Sequence, residues 1–324
     1  MKKLKILYAG SPLASALVLR NLIAYQKECG FELVGVLTNP PSMRGRHSDL
    51  IPTEVSRVAR ENNIPVFEFD HLMSDCRAAI SPLGADLLVS FDYGRIFGPK
   101  FLALFPLGGI NLHPSALPKY RGCTPVPAAI LNGDKSLGIT VQKLALQTDE
   151  GDILAQTELA LKGSETTLSL MDGDGKTSPV TEAGSALLKK VLKSASSQES
   201  ELVGKKQSGE TSYTPFLNKE DGFIKWQESA SQIERKIRAF TPFPLCSCDW
   251  NGVRVTILKA KLSDSKTTEK AGTVLPYQKS VGIEIACGDG SILIATELQQ
   301  EKKKAMDYKS FINGARGFVG SVLA

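Results

Sequence analysis

Histidine is scarce in this chain. Only His47, His71 and His113 occur among 324 residues, too few for a metal centre built from several imidazoles. The six cysteines are scattered, at 29, 76, 123, 246, 248 and 287. Only Cys246 and Cys248 are close, and their spacing suits neither a zinc knuckle nor a redox Cys-x-x-Cys. They read as free, semi-buried thiols of a reducing compartment, and no metal is expected. Long apolar runs are missing too: none approaches the roughly 18–20 residues that span a bilayer. Residues 1–10 are basic and then apolar, as a signal peptide is, but the apolar run covers only residues 6–9. It reads as a first buried strand, so a cytoplasmic protein with no membrane association is expected.

Several signatures are begun and not completed. The strand–Gly–helix junction at Gly10 has one glycine where a dinucleotide fingerprint needs three. Gly175-Lys176-Thr177 looks like a phosphate loop, but Leu170 stands where the first glycine belongs. Asp172-Gly-Asp174-Gly does not extend into a twelve-residue calcium loop. The segment reads as a turn.

What is present is an ordinary globular composition, 42% apolar and 23% charged, in a chain long enough for two domains. Lys and Arg number 21 against 21 Asp and Glu through residue 204, and 18 against 13 from residue 205 onward. The net charge of +5 thus resides in the last third. A polyanionic partner and a plain solvated basic face both fit that surplus.

The chain opens β-α-β. A strand at 4–9 is followed by a helix from Ser11-Pro12, with Ser11 as its cap, to about Tyr25, and by a strand at 31–37. That order predicts a parallel sheet with helices on its faces. A long Pro- and Arg-containing loop, 38–52, follows, of a length usual for functional or disordered loops. Further strands are expected at 64–69, 86–91, 109–113, 138–144 and 153–161. Helices are expected at about 53–61, 72–80, 99–105, 125–132 and 182–194. The Ser/Gln/Glu-rich run at 194–201 is a linker candidate. Beyond it a helix at 229–239 precedes short strands at 246–250, 253–261, 272–275, 281–287 and 291–298, which point to an OB-type β-barrel. The expected domains are 1–193, a linker at 194–208, and 209–324.

The chemistry is placed at Gly109–Gly122. A strand, Gly-Ile-Asn-Leu-His, runs into a Pro-rich loop, and Asn111 and His113, two apart, share one face. In an open α/β sheet, ligands gather at the carboxyl ends of strands, so the ends of 86–91 and 109–113 line one crevice. An amide N–H and an imidazolium can stabilise the oxyanion of acyl transfer to an amine. A carboxylate such as Asp149, in the acidic loop 147–152, can orient the imidazole and assist proton removal. No activated Ser or Cys nucleophile adjoins them, which favours direct transfer.

At these residues the chain resembles the methionyl-tRNA formyltransferase family. Residues 110–122 are similar to its Asn-x-His…Ser-Leu-Leu-Pro-x-x-Arg-Gly signature, and Asp149-Glu-Gly-Asp152 to its Asp-x-Gly-Asp loop. The likeness extends over Gly10-Ser-Pro12, the Arg-Gly-Arg of 44–46, Tyr93-Gly94, residues 234–244 and Lys303–Met306. It implies an α/β class: an open, mostly parallel Rossmann-like sheet followed by an OB-type β-barrel. It also implies formyl transfer from 10-formyltetrahydrofolate to the α-amine of methionyl initiator tRNA by a monomer. Asn111 and His113 would hold the formyl oxygen, with Asp149 in support. Folate would lie along Leu88, Phe91, Tyr93, Gly94 and Ile96, then Ser115, Ala116, Leu117 and Pro118. The tRNA would meet Arg44, Arg46, Arg121, Arg235 and Arg238. Asn-x-His with the acidic loop is common to folate-dependent formyltransferases, so a small amine, a nucleotide sugar or glycinamide ribonucleotide, is the alternative acceptor. The post-linker domain points to tRNA. The departures are Ala116 for Leu, Ala145 and Gln147 for Asp and Gly, Ser48-Asp49 for lysines, and the segment 168–180.

Overall fold

The computed structural model describes residues 3–44, 49–197 and 202–324. In chain order the first elements are β1 (Leu4–Ala9), α1 (Leu13–Cys29), β2 (Phe31–Thr38), β3 (Ser42–Arg44), β4 (Asp49–Ile51), α2 (Glu54–Glu61), β5 (Val66–Glu68) and α3 (Ser74–Ile80). β6 (Leu87–Ser90), α4 (Pro99–Leu102), β7 (Gly109–His113), β8 (Arg121–Gly122), α5 (Pro125–Asn132), β9 (Ser136–Lys143), β10 (Ile153–Ala160), α6 (Thr167–Met171), α7 (Pro179–Ser197) and β11 (Tyr213–Thr214) follow. The later elements are α8 (Ala230–Ala239), β12 (Cys246–Trp250), β13 (Val253–Lys266), β14 (Ile283–Ala286), β15 (Ser291–Gln300), β16 (Met306–Asp307) and α9 (Tyr308–Gly314).

Apolar β-formers at both faces make the central strands. β1, β6 and β7 are buried almost throughout, as strands covered on two sides must be. They belong to a seven-stranded sheet ordered β10-β9-β7-β6-β1-β2-β5. β5, β2, β1, β6 and β7 run parallel, whereas β9 alone is reversed, pairing antiparallel with both β7 and β10. The connections reverse direction at β1 and β6, so the carboxyl ends of β1, β6 and β7 open on one side. An aromatic ladder, Tyr93–Phe97–Phe101–Phe105, fills the core beneath that opening.

Local differences from the sequence reading have local causes. Helix α1 begins after Pro12, which forms no side-chain cap. The Ser11 hydroxyl instead accepts the Asn39 N–H at 3.2 Å. The helix continues past Tyr25 to Cys29, where Gly30 adopts the left-handed conformation that closes it. The long loop is partly ordered as the antiparallel pair β3–β4, with Met43 and Leu50 exposed at 72% and 71%. β13 is longer than expected and reaches Lys266. In place of the strand expected at 272–275, Thr273 and Val274 form isolated bridges, and α9 was not anticipated.

Two compact units emerge. The first comprises 1–125, 136–160 and 169–214; the second comprises 126–135, 161–168 and 215–324. The expected boundaries differ from this division. Residues 194–197 still belong to α7, and 198–201 lie outside the described residues. Residues 209–214 join the first unit because β11 pairs in parallel with β8. The second unit carries an antiparallel sheet ordered β12-β13-β15-β14, with β16 on β15. These pairings establish a C-terminal β domain and do not themselves close a barrel. Among the described residues no helix is long and apolar enough to cross a membrane.

Candidate active site

The register of three strands assembles the site. Asn111 lies beside Ser90 of β6 and Gln142 of β9, and His113 lies beside Thr140. Cross-strand neighbours share a face, so Asn111, His113, Thr140 and Gln142 all project to one side. Asn111 Nδ2 makes long contacts to the Ser90 carbonyl, 3.3 Å, and hydroxyl, 3.4 Å. Its Oδ1 faces the Gln142 amide at 3.5 Å. Bonds of this length are weak, which leaves the half-buried Asn111 amide free to turn to a ligand.

His113 is buried. Its Nε2 lies 2.9 Å from the Tyr120 carbonyl. A carbonyl only accepts, so Nε2 carries the proton and the Nδ1 edge faces the opening. Nδ1 stands 3.7 Å from Asp149 Oδ1. Asp149 occupies the left-handed region, φ 56°, and both its oxygens are fixed. Oδ1 accepts from Gln142 Nε2 and Oδ2 from the Gly122 N–H, each at 2.8 Å. The structure thus brings Asn111, His113 and Asp149 together, with Gln142 between the amide and the carboxylate.

Gln142 was missed in the sequence, although a lone amide inside an apolar strand signals a buried hydrogen-bonded group. Cys123 follows Gly122 and is exposed. Partial burial, then Asp149 and Asp92, push its thiol up. Two residues past β6, Asp92 is pushed up to about 6 by burial and then by Asp172. Asp172 is likewise raised by burial, and its carboxylate accepts the Ala14 N–H at the start of α1.

The expected folate wall divides in two. Gly94, Ile96 and Ala116 retain exposure, Ile96 at 80%. Leu88, Phe91, Tyr93, Ser115, Leu117 and Pro118 are buried. Leu88 and Tyr93 are core residues packed with Leu7, Leu37 and Phe97. The Tyr93 hydroxyl has no partner inside the protein.

Of the arginines expected to meet tRNA, the side chains of Arg121, Arg235 and Arg238 are described. Arg46 and the side chain of Arg44 lie outside the described residues. Arg121 is 12% exposed and committed internally: to Gln207 Oε1 at 2.7 and 3.1 Å, to Glu150 at 2.8 Å and to the Tyr213 hydroxyl at 2.9 Å. In the second unit, Arg238 grips Glu234 at 2.7 and 2.9 Å and the Glu165 carbonyl at 3.0 Å. Arg235 is half-buried, and its Nε has no partner. Tight helix packing, invisible in composition, turns these arginines inward. Lys119 within the 110–122 signature and Lys302, Lys303 and Lys304 at the Lys303–Met306 likeness are exposed.

Among the described residues no cluster of three His, Cys, Asp or Glu is arranged to hold a metal ion. Residues 2–176 match the family model described as formyl transferase, and residues 217–316 match its C-terminal domain. A curated relative from Treponema denticola, named methionyl-tRNA formyltransferase, is 42% identical over 98% of both chains. The crystal structure titled WlaRD, a sugar 3N-formyl transferase in the presence of dTDP and 5-N-formyl-THF, superposes with a TM-score of 0.61. It is 21% identical and covers 94% of this chain and 100% of its own. Methionyl-tRNA formyltransferase from Clostridium thermocellum gives a TM-score of 0.55 at 16% identity, covering 81% of this chain and 95% of its own. The two structural likenesses concern the fold.

Proposed function

Because the chain belongs to the methionyl-tRNA formyltransferase family, we propose that it transfers the formyl group of 10-formyltetrahydrofolate to the α-amine of methionyl initiator tRNA. The observation that carries this reading is the constellation of Asn111, His113, Gln142 and Asp149 at the carboxyl end of β7. The Asn111 amide N–H and, in the imidazolium form, the Nδ1–H of His113 hold the formyl oxygen as negative charge develops on it. Asp149, with both oxygens anchored, orients the imidazole and takes up the amine proton directly or through water. A carbon–nitrogen bond forms to the incoming amine, the bond to the folate nitrogen breaks, and that nitrogen gains a proton.

Direct transfer is favoured over a covalent enzyme. Among the described residues the one exposed thiol at the site, Cys123, is pushed toward its protonated form, whereas a nucleophilic cysteine needs the opposite shift. For the formyl donor, the carboxyl end of β6 with Gly94, Ile96 and Ala116 supplies accessible backbone and small surfaces.

Two features support RNA as the acceptor. The β3–β4 ribbon presents Met43 and Leu50 to solvent, and exposed apolar wedges beside basic residues suit an unpaired nucleic-acid end. The second unit, which we assign to tRNA binding, holds Lys302–Lys304 on its surface, suited to phosphates.

Replacement of Asn111, His113 and Asp149 singly by alanine tests the site. Each variant should lose about 10²–10³-fold in kcat for formylation of methionyl initiator tRNA, the scale of losing an oxyanion donor or general base. Wild-type turnover in all three would remove the assignment.

A further inference from the structure

We propose that residues 205–214, which the sequence presents as the end of a linker and the first residues of the C-terminal domain, belong to the reaction centre, with Gln207 as the positioning residue for Asp149. This rests on the role given to Asp149 above. Gln207 divides its amide between two jobs. Its Nε2 donates to the carbonyls of Asp149 and Gly151, both at 2.8 Å, with Gln142 Oε1 at 3.4 Å. Its Oε1 accepts from Arg121 Nε and Nη2 at 3.1 and 2.7 Å. Arg121 in turn holds Glu150 at 2.8 Å, helped by the Tyr213 hydroxyl at 2.6 Å. Three consecutive residues of the acidic loop are thus tied to one short segment: Asp149 and Gly151 by backbone, and Glu150 by side chain. The φ of 56° at Asp149 is strained for a residue with a Cβ, and such a conformation persists where neighbours over-determine it.

The same segment also fixes the other half of the site. Lys205 pairs with Ile153 in both directions, at 2.7 and 2.8 Å. Ser212 accepts the Arg121 N–H on its carbonyl, 2.8 Å, and the Tyr120 N–H on its hydroxyl, 2.9 Å. Tyr213 and Thr214 then pair with Arg121 and Gly122. Gly122 has φ 98°, and a Cβ there would overlap the Thr214 carbonyl, so glycine is required. Between these attachments lie the Tyr120 carbonyl that anchors His113 and the Gly122 N–H that anchors Asp149. Both the imidazole and the carboxylate are therefore located through contacts to residues 205–214.

Gln207→Met and Gln207→Glu in the full chain test this. Methionine keeps the volume and loses every hydrogen bond. Glutamate keeps the acceptor for Arg121 and loses the donors to Asp149 and Gly151. Both variants should lower kcat at least about tenfold while each KM stays within about twofold, because a misplaced catalytic group costs turnover and not binding. Exchange of the Gly122 amide hydrogen, which reports on the Asp149 carboxylate without any substrate, should quicken roughly tenfold with the global unfolding transition retained. Unchanged Gly122 protection, or kcat within about twofold of wild type in both variants, overturns the proposal. Full turnover in His113→Ala and Asp149→Ala would instead refute the site assignment, and the amide exchange would still decide whether the segment holds the loop.

Discussion

Asp92 and Gln142 are polar residues that the strand pattern brings into the site region without declaring their role. Asp92 keeps solvent contact, but surrounding protein and Asp172 raise its carboxyl to about 6. A carboxyl raised on folding binds its proton more tightly in the folded chain, so stability declines as pH rises from its ordinary range to about 6, and the penalty is complete above that. Asp92→Asn should therefore melt higher than wild type at pH 7.5 by on the order of 1–2 °C, because solvent screens part of the penalty. The difference should close as pH falls toward 4. Thermal melts of both proteins across this range check it, and a gap independent of pH would refute the assignment. At this scale Asn111 and His113 were legible, because a two-residue spacing on a strand fixes their common face. Asp149 was a candidate beside an ordinary acidic turn of the same composition, and the family likeness favoured it. Gln207 carried no local signal: its partners are 56 to 86 positions away, and only the fold joins them.

Elements were legible where periodicity and punctuation agreed. β7, α5 and β12 fall on the expected residues, each bounded by turn or proline signals. The errors concentrate at ends and in links, where pairing with distant segments decides. The loop at 115–118 shows how one element seats another. It lies against Gly138 of β9, and a Cβ at Gly138 would overlap the Ala116 backbone. Gly138→Ala should push this loop outward and cost about 1–3 kcal/mol, as overpacking does. If the loop forms part of the folate wall, KM for the formyl donor should rise more than kcat falls. An effect on kcat alone, with unchanged KM, would place the loop outside the donor site. β11 carries a second lesson. Removing residues 206–324 to strip the C-terminal domain also removes Gln207 and the partner strand of β8, so it disables the chemistry together with any tRNA binding. A cut meant to test the domain alone belongs after Thr214.

For the whole molecule, the order of strands and helices predicted the seven-stranded sheet and a separate β-rich region. The unit boundaries escaped that reading, because residues 126–135 and 161–168 leave the first unit for the second and residues 209–214 rejoin the first. Charge distribution was informative in aggregate and misleading in detail. The surplus of the last third is real, but Arg235 and Arg238 there serve internal contacts or burial, and lysines remain at the surface. The central claim is that formyl transfer is directed to an RNA-borne amine. The direct measurement is formylation of methionyl initiator tRNA from 10-formyltetrahydrofolate, run beside glycinamide ribonucleotide and an amino sugar nucleotide, at about 50 and 200 mM salt. Transfer to the tRNA alone is expected, with kcat/KM falling at least about tenfold at the higher salt, as phosphate contacts require. Salt-insensitive formylation of a small amine, with none of the tRNA, would contradict it.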